Sequence, residues 1–167
     1  YKRQDTVVRE VFEKFPIQMK PALNIALAVA ATYGKLESVS ELLQLGAQID
    51  STDFNNGYGN FTPLANATLS SYLPYGRRYE VMKMLINAKA DPDLGNPLSI
   101  AIQMHDSQAV QILVYAGANV NAPIYPDGRN YTYLHLAYEL ALRNIKSPTQ
   151  QPTEDPIYKL LVENGAR

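Results

Sequence analysis

Four stretches of this chain end in nearly the same words: Leu42 to Asp50 (LLQLGAQID), Leu85 to Asp93 (LINAKADPD), Leu113 to Asn121 (LVYAGANVN) and Leu161 to Arg167 (LVENGAR). Each closes an apolar helical run, and a Gly just past the last turn can take the left-handed conformation that stops a helix. An internal repeat constrains the fold more than any local signal. A unit of this size cannot bury its own apolar face, so it must stack on a neighbour and leave a long surface for binding.

Upstream of each ending lies a matching stretch: Ala26 to Ala31 (ALAVAA), Thr62 to Ala67 (TPLANA), Asn96 to Ala101 (NPLSIA) and Thr132 to Ala137 (TYLHLA). Thr-Pro-Leu starts a helix well, because threonine can cap free amides and proline is tolerated in the first turn. These residues resemble the ankyrin repeat, whose pattern is Thr-Pro-Leu-His, a second helix ending in Leu-Leu, then Gly-Ala-Asp-Val-Asn. The first copy keeps the family's inter-helix turn as Gly34-Lys35-Leu36-Glu37, and the resemblance covers roughly residues 22–167. It implies an all-α solenoid of about four helix-turn-helix repeats with β-turn fingers, and no chemistry of its own.

The expected division is an N-terminal amphipathic helix or end of a preceding repeat in 1–21, then repeats at 22–53, 54–93, 94–121 and 122–167. The array is irregular. Its Gly-equivalent positions, 46, 89, 117 and 165, are spaced by 43, 28 and 48 residues, where the family period is about 33. Lys89 stands where the other copies have Gly, at a cost on the order of 1 kcal/mol. The link from Asp93 to Asn96 is too short for a full finger. Insertions fall between helices at about 70–78 and 144–156. Before the repeats, Val7, Val8, Val11, Phe12 and Phe15 share one face of a helix over 5–15 that Pro16 is expected to stop. The second helices of the repeats are expected over about 37–45, 79–88, 107–116 and 156–164.

Composition excludes several classes. The 46% apolar content suits a folded core, and a net charge of −1 without a basic stripe disfavours nucleic acid. No apolar run of about 18 residues exists to span a membrane. Absence of cysteine rules out disulfides and thiolate zinc sites. Of the sequons at Asn60, Asn66 and Asn130, two use the Thr that starts an inner helix, where a glycan would crowd the stacked fingers, which argues against a glycosylating route. The expected setting is therefore cytoplasmic or nuclear. Beginning at Tyr1, the chain is read as a segment of a longer protein.

Chemistry finds little footing. His135 occupies the motif position, where the resemblance implies a structural histidine bridging neighbouring fingers. His105 sits in a turn beside Asp106, with Ser107 as the expected helix cap; an adjacent His-Asp pair is not a catalytic dyad without a nucleophile in reach. Asp53, Asp91, Asp93 and Asp127, with Asn24, Asn119 and Asn121, read as turn residues and lack calcium-loop spacing. The expectation is no enzyme, no cofactor and no metal.

The working surface implied by the resemblance is a groove of finger tips and inner-helix residues. The fingers supply Phe54, Asn55, Tyr58, Asn60 and Phe61, then Tyr125, Asp127, Arg129, Asn130 and Tyr131. Inner helices supply Thr32, Tyr33, Gln103 and Met104, with Leu69, Glu139 and Leu140 in looser register. Aromatics and Arg are what interfaces favour at hot spots. A second edge carries Tyr72, Tyr75, Arg77 and Arg78 on one insertion and Pro148, Pro152, Glu154, Asp155 and Pro156 on the other, with opposite charges inviting a contact. The function implied is a monomeric, non-catalytic module that binds another protein, like the ankyrin segments of bacterial or viral effectors acting in the host cytosol. The alternative is a regulatory or substrate-recruiting module of an enzyme domain outside this chain.

Overall fold

A computed structural model describes residues 16–54, 61–70, 75–124 and 131–167, with no side-chain detail for 16–19 and 75–76. Among these residues there are eight α-helices, one 3-10 turn and no strands. The chain divides into two compact units at Ala90 and Asp91. The helix expected over 5–15 lies outside the described residues, as do most of the two longer fingers.

In the first unit, α1 (Pro16–Thr32) and α2 (Leu36–Gln44) form one hairpin, and α3 (Pro63–Leu69) and α4 (Tyr75–Asn87) form the next. The hairpins stack α1 on α3 and α2 on α4. The stop expected at Pro16 falls at the edge of the described residues, where Pro16 is itself already helical. The inner helix is described from ten residues ahead of the apolar stretch at Ala26 and carries Pro21 within it. Thr62 caps α3 by accepting the Ala65 amide at 3.2 Å, with Pro63 in the first turn. That helix is buried all round from Pro63 to Thr68, so it forms the centre of the unit. Asn66 is among the buried residues, 1% exposed, and donates to Phe61 and Thr62 carbonyls. Its sequon is closed to a glycan once the unit folds.

The second unit repeats the plan with α5 (Pro97–Gln103), α6 (Ser107–Tyr115), α7 (Tyr133–Arg143) and α8 (Pro156–Glu163). Here α7 stacks on α5 and α8 on α6. Leu98, Ile102, Val110, Leu113, Ile157 and Leu161 make its core. Burial of each such side chain stabilises by about 1.5–3 kcal/mol. Asp106, not Ser107, caps α6 by accepting the Ala109 amide at 3.0 Å. Asn96 provides no side-chain cap for α5; Gly95 and Asn96 are both left-handed (φ 81° and 54°) and turn the short link directly into the helix.

All four repeated endings fold alike. Gly46, Lys89, Gly117 and Gly165 have φ of 90°, 75°, 95° and 86°. The Ala that follows each donates to a carbonyl five residues back: Ala47 to Leu42, Ala90 to Leu85, Ala118 to Leu113 and Ala166 to Leu161. The repeated words therefore encode one Schellman closure, with Lys89 accepting left-handed strain to keep it.

Candidate functional site

In the first unit, the expected surface begins where α1 ends. Tyr33 is 55% exposed, while Thr32 is half-buried and its hydroxyl donates to the Ala28 carbonyl at 2.8 Å. The Thr32 carbonyl in turn accepts the Ser70 hydroxyl at 2.7 Å, which ties the end of α3 to the end of α1. The base of the first finger is held by Asn24. This residue is not in a turn; it is buried within α1. Its Nδ2 donates to Asp53 at 2.7 Å and to Gln48 at 3.2 Å, and its Oδ1 accepts the Gln48 amide at 2.7 Å. Hydrogen bonds from Asn24, then Ser51, hold the Asp53 carboxyl below its ordinary value of 3.8. Phe54 follows directly and is half-buried, as is Phe61 where the chain re-enters the described residues. Asn55, Tyr58 and Asn60 lie outside them.

In the second unit, Gln103 is exposed and donates to the Ser99 hydroxyl at 3.0 Å, and Met104 is half-buried. Tyr125, Asp127, Arg129 and Asn130 lie outside the described residues. Tyr131 is described, and it forms a small polar-aromatic patch with two residues of α7. Its ring stacks on His135 at 5.8 Å, and its hydroxyl donates to Glu139 at 2.9 Å. The spacing of four residues from 131 to 135 to 139 is the signal that could have joined them. Among the described residues, His135 hydrogen-bonds within its own first turn. The Thr132 hydroxyl accepts the His135 amide at 3.4 Å, and the imidazole Nδ1 accepts the Thr132 amide at 3.3 Å. That is a capping box; the expected bridge between fingers involves residues mostly outside the described ones.

The insertion edge departs from expectation at Arg78. It belongs to α4, which is already helical at Tyr75, ahead of the start expected at about 79, and it is 2% exposed. Its Nη1 donates to the Ser70 carbonyl at 3.3 Å and its guanidinium lies 5.3 Å from the Tyr79 ring centre. Helical continuation turns this residue inward while Arg77 stays exposed. Tyr72 and the side chain of Tyr75 lie outside the described residues. Asp155, the expected acidic partner on the other insertion, is 8% exposed and committed within its own unit. Its Oδ1 accepts the Ile157 and Tyr158 amides at 2.8 and 3.2 Å, capping α8, and its Oδ2 lies 3.3 Å from His105 Nε2. The long insertion thereby borders an open hollow of about 440 Å³ of mixed lining, with His105, Asn144, Lys146 and Asp155 beside Ala141 and Pro152.

No group of three or more His, Asp or Glu among the described residues could hold a metal ion. None of the described helices is long and apolar enough to cross a membrane. A search of curated proteins returns no match to this chain. Residues 96–124 match the family model described as Ankyrin repeat, which covers α5, α6 and the closure after them. Ankyrin repeats are in general non-catalytic protein-binding modules. Residues 96–124 thus match an ankyrin repeat, in a chain whose described residues form stacked helical hairpins with one closure used four times.

Proposed function

We propose that this chain is a non-catalytic recognition segment of a larger intracellular protein, of the sort that bacterial or viral effectors use to engage a host protein. The ankyrin repeat at 96–124 carries the reading. Exposed or half-exposed Tyr33, Phe54 and Phe61 in one unit, and Gln103, Met104 and Tyr131 in the other, supply the contacts. Their fit to the task is physical: aromatic rings bury large area and freeze few rotors. A buried sequon at Asn66 suits the cytosol or nucleus as the working compartment.

Site-specific photo-crosslinking in the producer's or host's cytosol tests this. A photoreactive residue at Tyr33 should trap one protein, and the same residue at Tyr115, 71% exposed on α6 and not among the proposed contacts, should not. Equal trapping at both positions, or none at Tyr33, contradicts the proposal.

A further inference from the structure

Beyond the recognition surface, we infer that the hollow between the α5–α6 turn and the long insertion is a second binding site, one that takes the carboxylate of an acidic peptide segment. Its walls come from two neighbouring hairpins of the second unit. His105 stands in the turn of the first, Ala141 and Asn144 at the end of α7, and Lys146, Gln150 and Pro152 in the insertion. The hollow therefore lies between the two hairpins, on the side that α5 and α6 already occupy. Elsewhere a hairpin needs little chain to turn: residues 33–35 join α1 to α2 and 104–106 join α5 to α6. Residues 144–155 join α7 to α8. A connection that long inside a short repeat is most often functional. This one is also held in shape. Pro152–Glu154 form a 3-10 turn on the buried Pro152, and Asp155 meets His105 at 3.3 Å.

The unpaired groups of the lining select the ligand. Asp155, the acid of the hollow, is engaged on both oxygens: Oδ1 accepts the Ile157 and Tyr158 amides, and Oδ2 faces His105 Nε2. Gln150 accepts the Lys146 amide on its side-chain oxygen at 3.2 Å, which leaves its NH2 group to donate. The Lys146 ammonium has no partner among the described residues, and neither does the Asn144 side-chain amide. An ammonium carries three donors and no acceptor. One unpaired cation beside amide donors suits an oxyanion, and hydrogen bonds to a charged acceptor are the strong ones. The lining also has an apolar part in Ala141 and Pro152, both buried. A carboxylate carried on a peptide satisfies both characters: the acid faces Lys146 and a flanking apolar side chain covers Ala141 and Pro152. The volume of about 440 Å³ lies within the roughly 300–1,000 Å³ of ligand sites, and the open mouth lets a chain enter and leave.

Titration of the whole isotope-labelled chain, followed by nuclear magnetic resonance, reads this out. The probes are the blocked peptide acetyl-Leu-Glu-Leu-amide, its neutral counterpart acetyl-Leu-Gln-Leu-amide, and glutarate. The glutamate peptide should shift the Lys146 amide and the Gln150 side-chain NH2 signals to saturation. The glutamine peptide should bind at least about tenfold more weakly, since it lacks the charge. Glutarate should bind at least about threefold more weakly, since it brings no apolar side chain. Lys146→Glu should abolish the response with an unchanged melting temperature, because Lys146 is exposed, and Lys146→Arg should retain it. Equal affinity for the glutamate and glutamine peptides overturns the inference, as does equal affinity for glutarate. So do an unaltered response in Lys146→Glu, an absence of shifts, and shifts confined to residues outside the hollow.

Discussion

His105 stands where the first hairpin has Gly34, and it reaches Asp155 at 3.3 Å. Both turn residues are left-handed, with φ of 53° and 62°, and each closes its helix through the same bond, Asp106 to Ala101 and Lys35 to Ala30. A side chain in that conformation costs about 1 kcal/mol. The imidazole meets the carboxylate that caps α8, so a strained turn residue fastens the long insertion to the turn between α5 and α6. His105→Ala keeps the strain and loses the contact; His105→Gly loses both. The glycine variant should be the more stable of the two by about 1 kcal/mol in urea denaturation.

Lys89 and Gly117 give a matched pair in the two units. Lys89→Gly relieves a left-handed side chain and should stabilise by about 1 kcal/mol, whereas Gly117→Ala should destabilise by a similar amount. Nothing lies within 4 Å of a Cβ placed at Gly117, so its penalty is conformational and not steric. Thermal melts of the two variants should therefore shift in opposite directions.

Arg78 separates a buried from a solvent-facing arginine. A surface position would tolerate Arg78→Ala within about 0.5 kcal/mol. Buried against Tyr79 and donating to the Ser70 carbonyl, it should cost roughly 2 kcal/mol or more, through lost packing and a stranded carbonyl. Arg77→Ala, one residue away and exposed, serves as the comparison in the same chemical denaturation series.

Burial, with the Asp93 carboxylate adding to it, holds the Tyr133 phenol above the ordinary tyrosine value of 10.0. Unfolding returns it to that value. Its stabilising contribution is therefore fully present below 10.0 and is lost as pH rises through the folded value. Thermal stability of the wild type should fall more steeply above that pH than stability of Tyr133→Phe.

Much of the fold was legible because one repeated phrase fixes one hydrogen-bonded closure. The second helices fall within a residue or so of expectation in three copies, since Leu-Leu pairs before the closure report the buried face directly. Failures came where a helix runs past its repeat pattern. Arg78 was read as loop because the long spacing after Leu69 suggested an insertion, while four more residues of α4 carry its side chain inward. Asn24 looked like a turn former, yet its amide is buried and pins the first finger, a long-range contact that no local pattern encodes. Tyr131, by contrast, was flagged by type, and the spacing of four to His135 and Glu139 held the rest of that patch.

The most direct test of the recognition reading uses the protein trapped through Tyr33. Isothermal titration of that protein into wild type and into Tyr33→Ala should show at least about a tenfold loss of affinity. The melting temperature should be unchanged, because Tyr33 is more than half exposed. Equal affinity for the two chains would contradict the account.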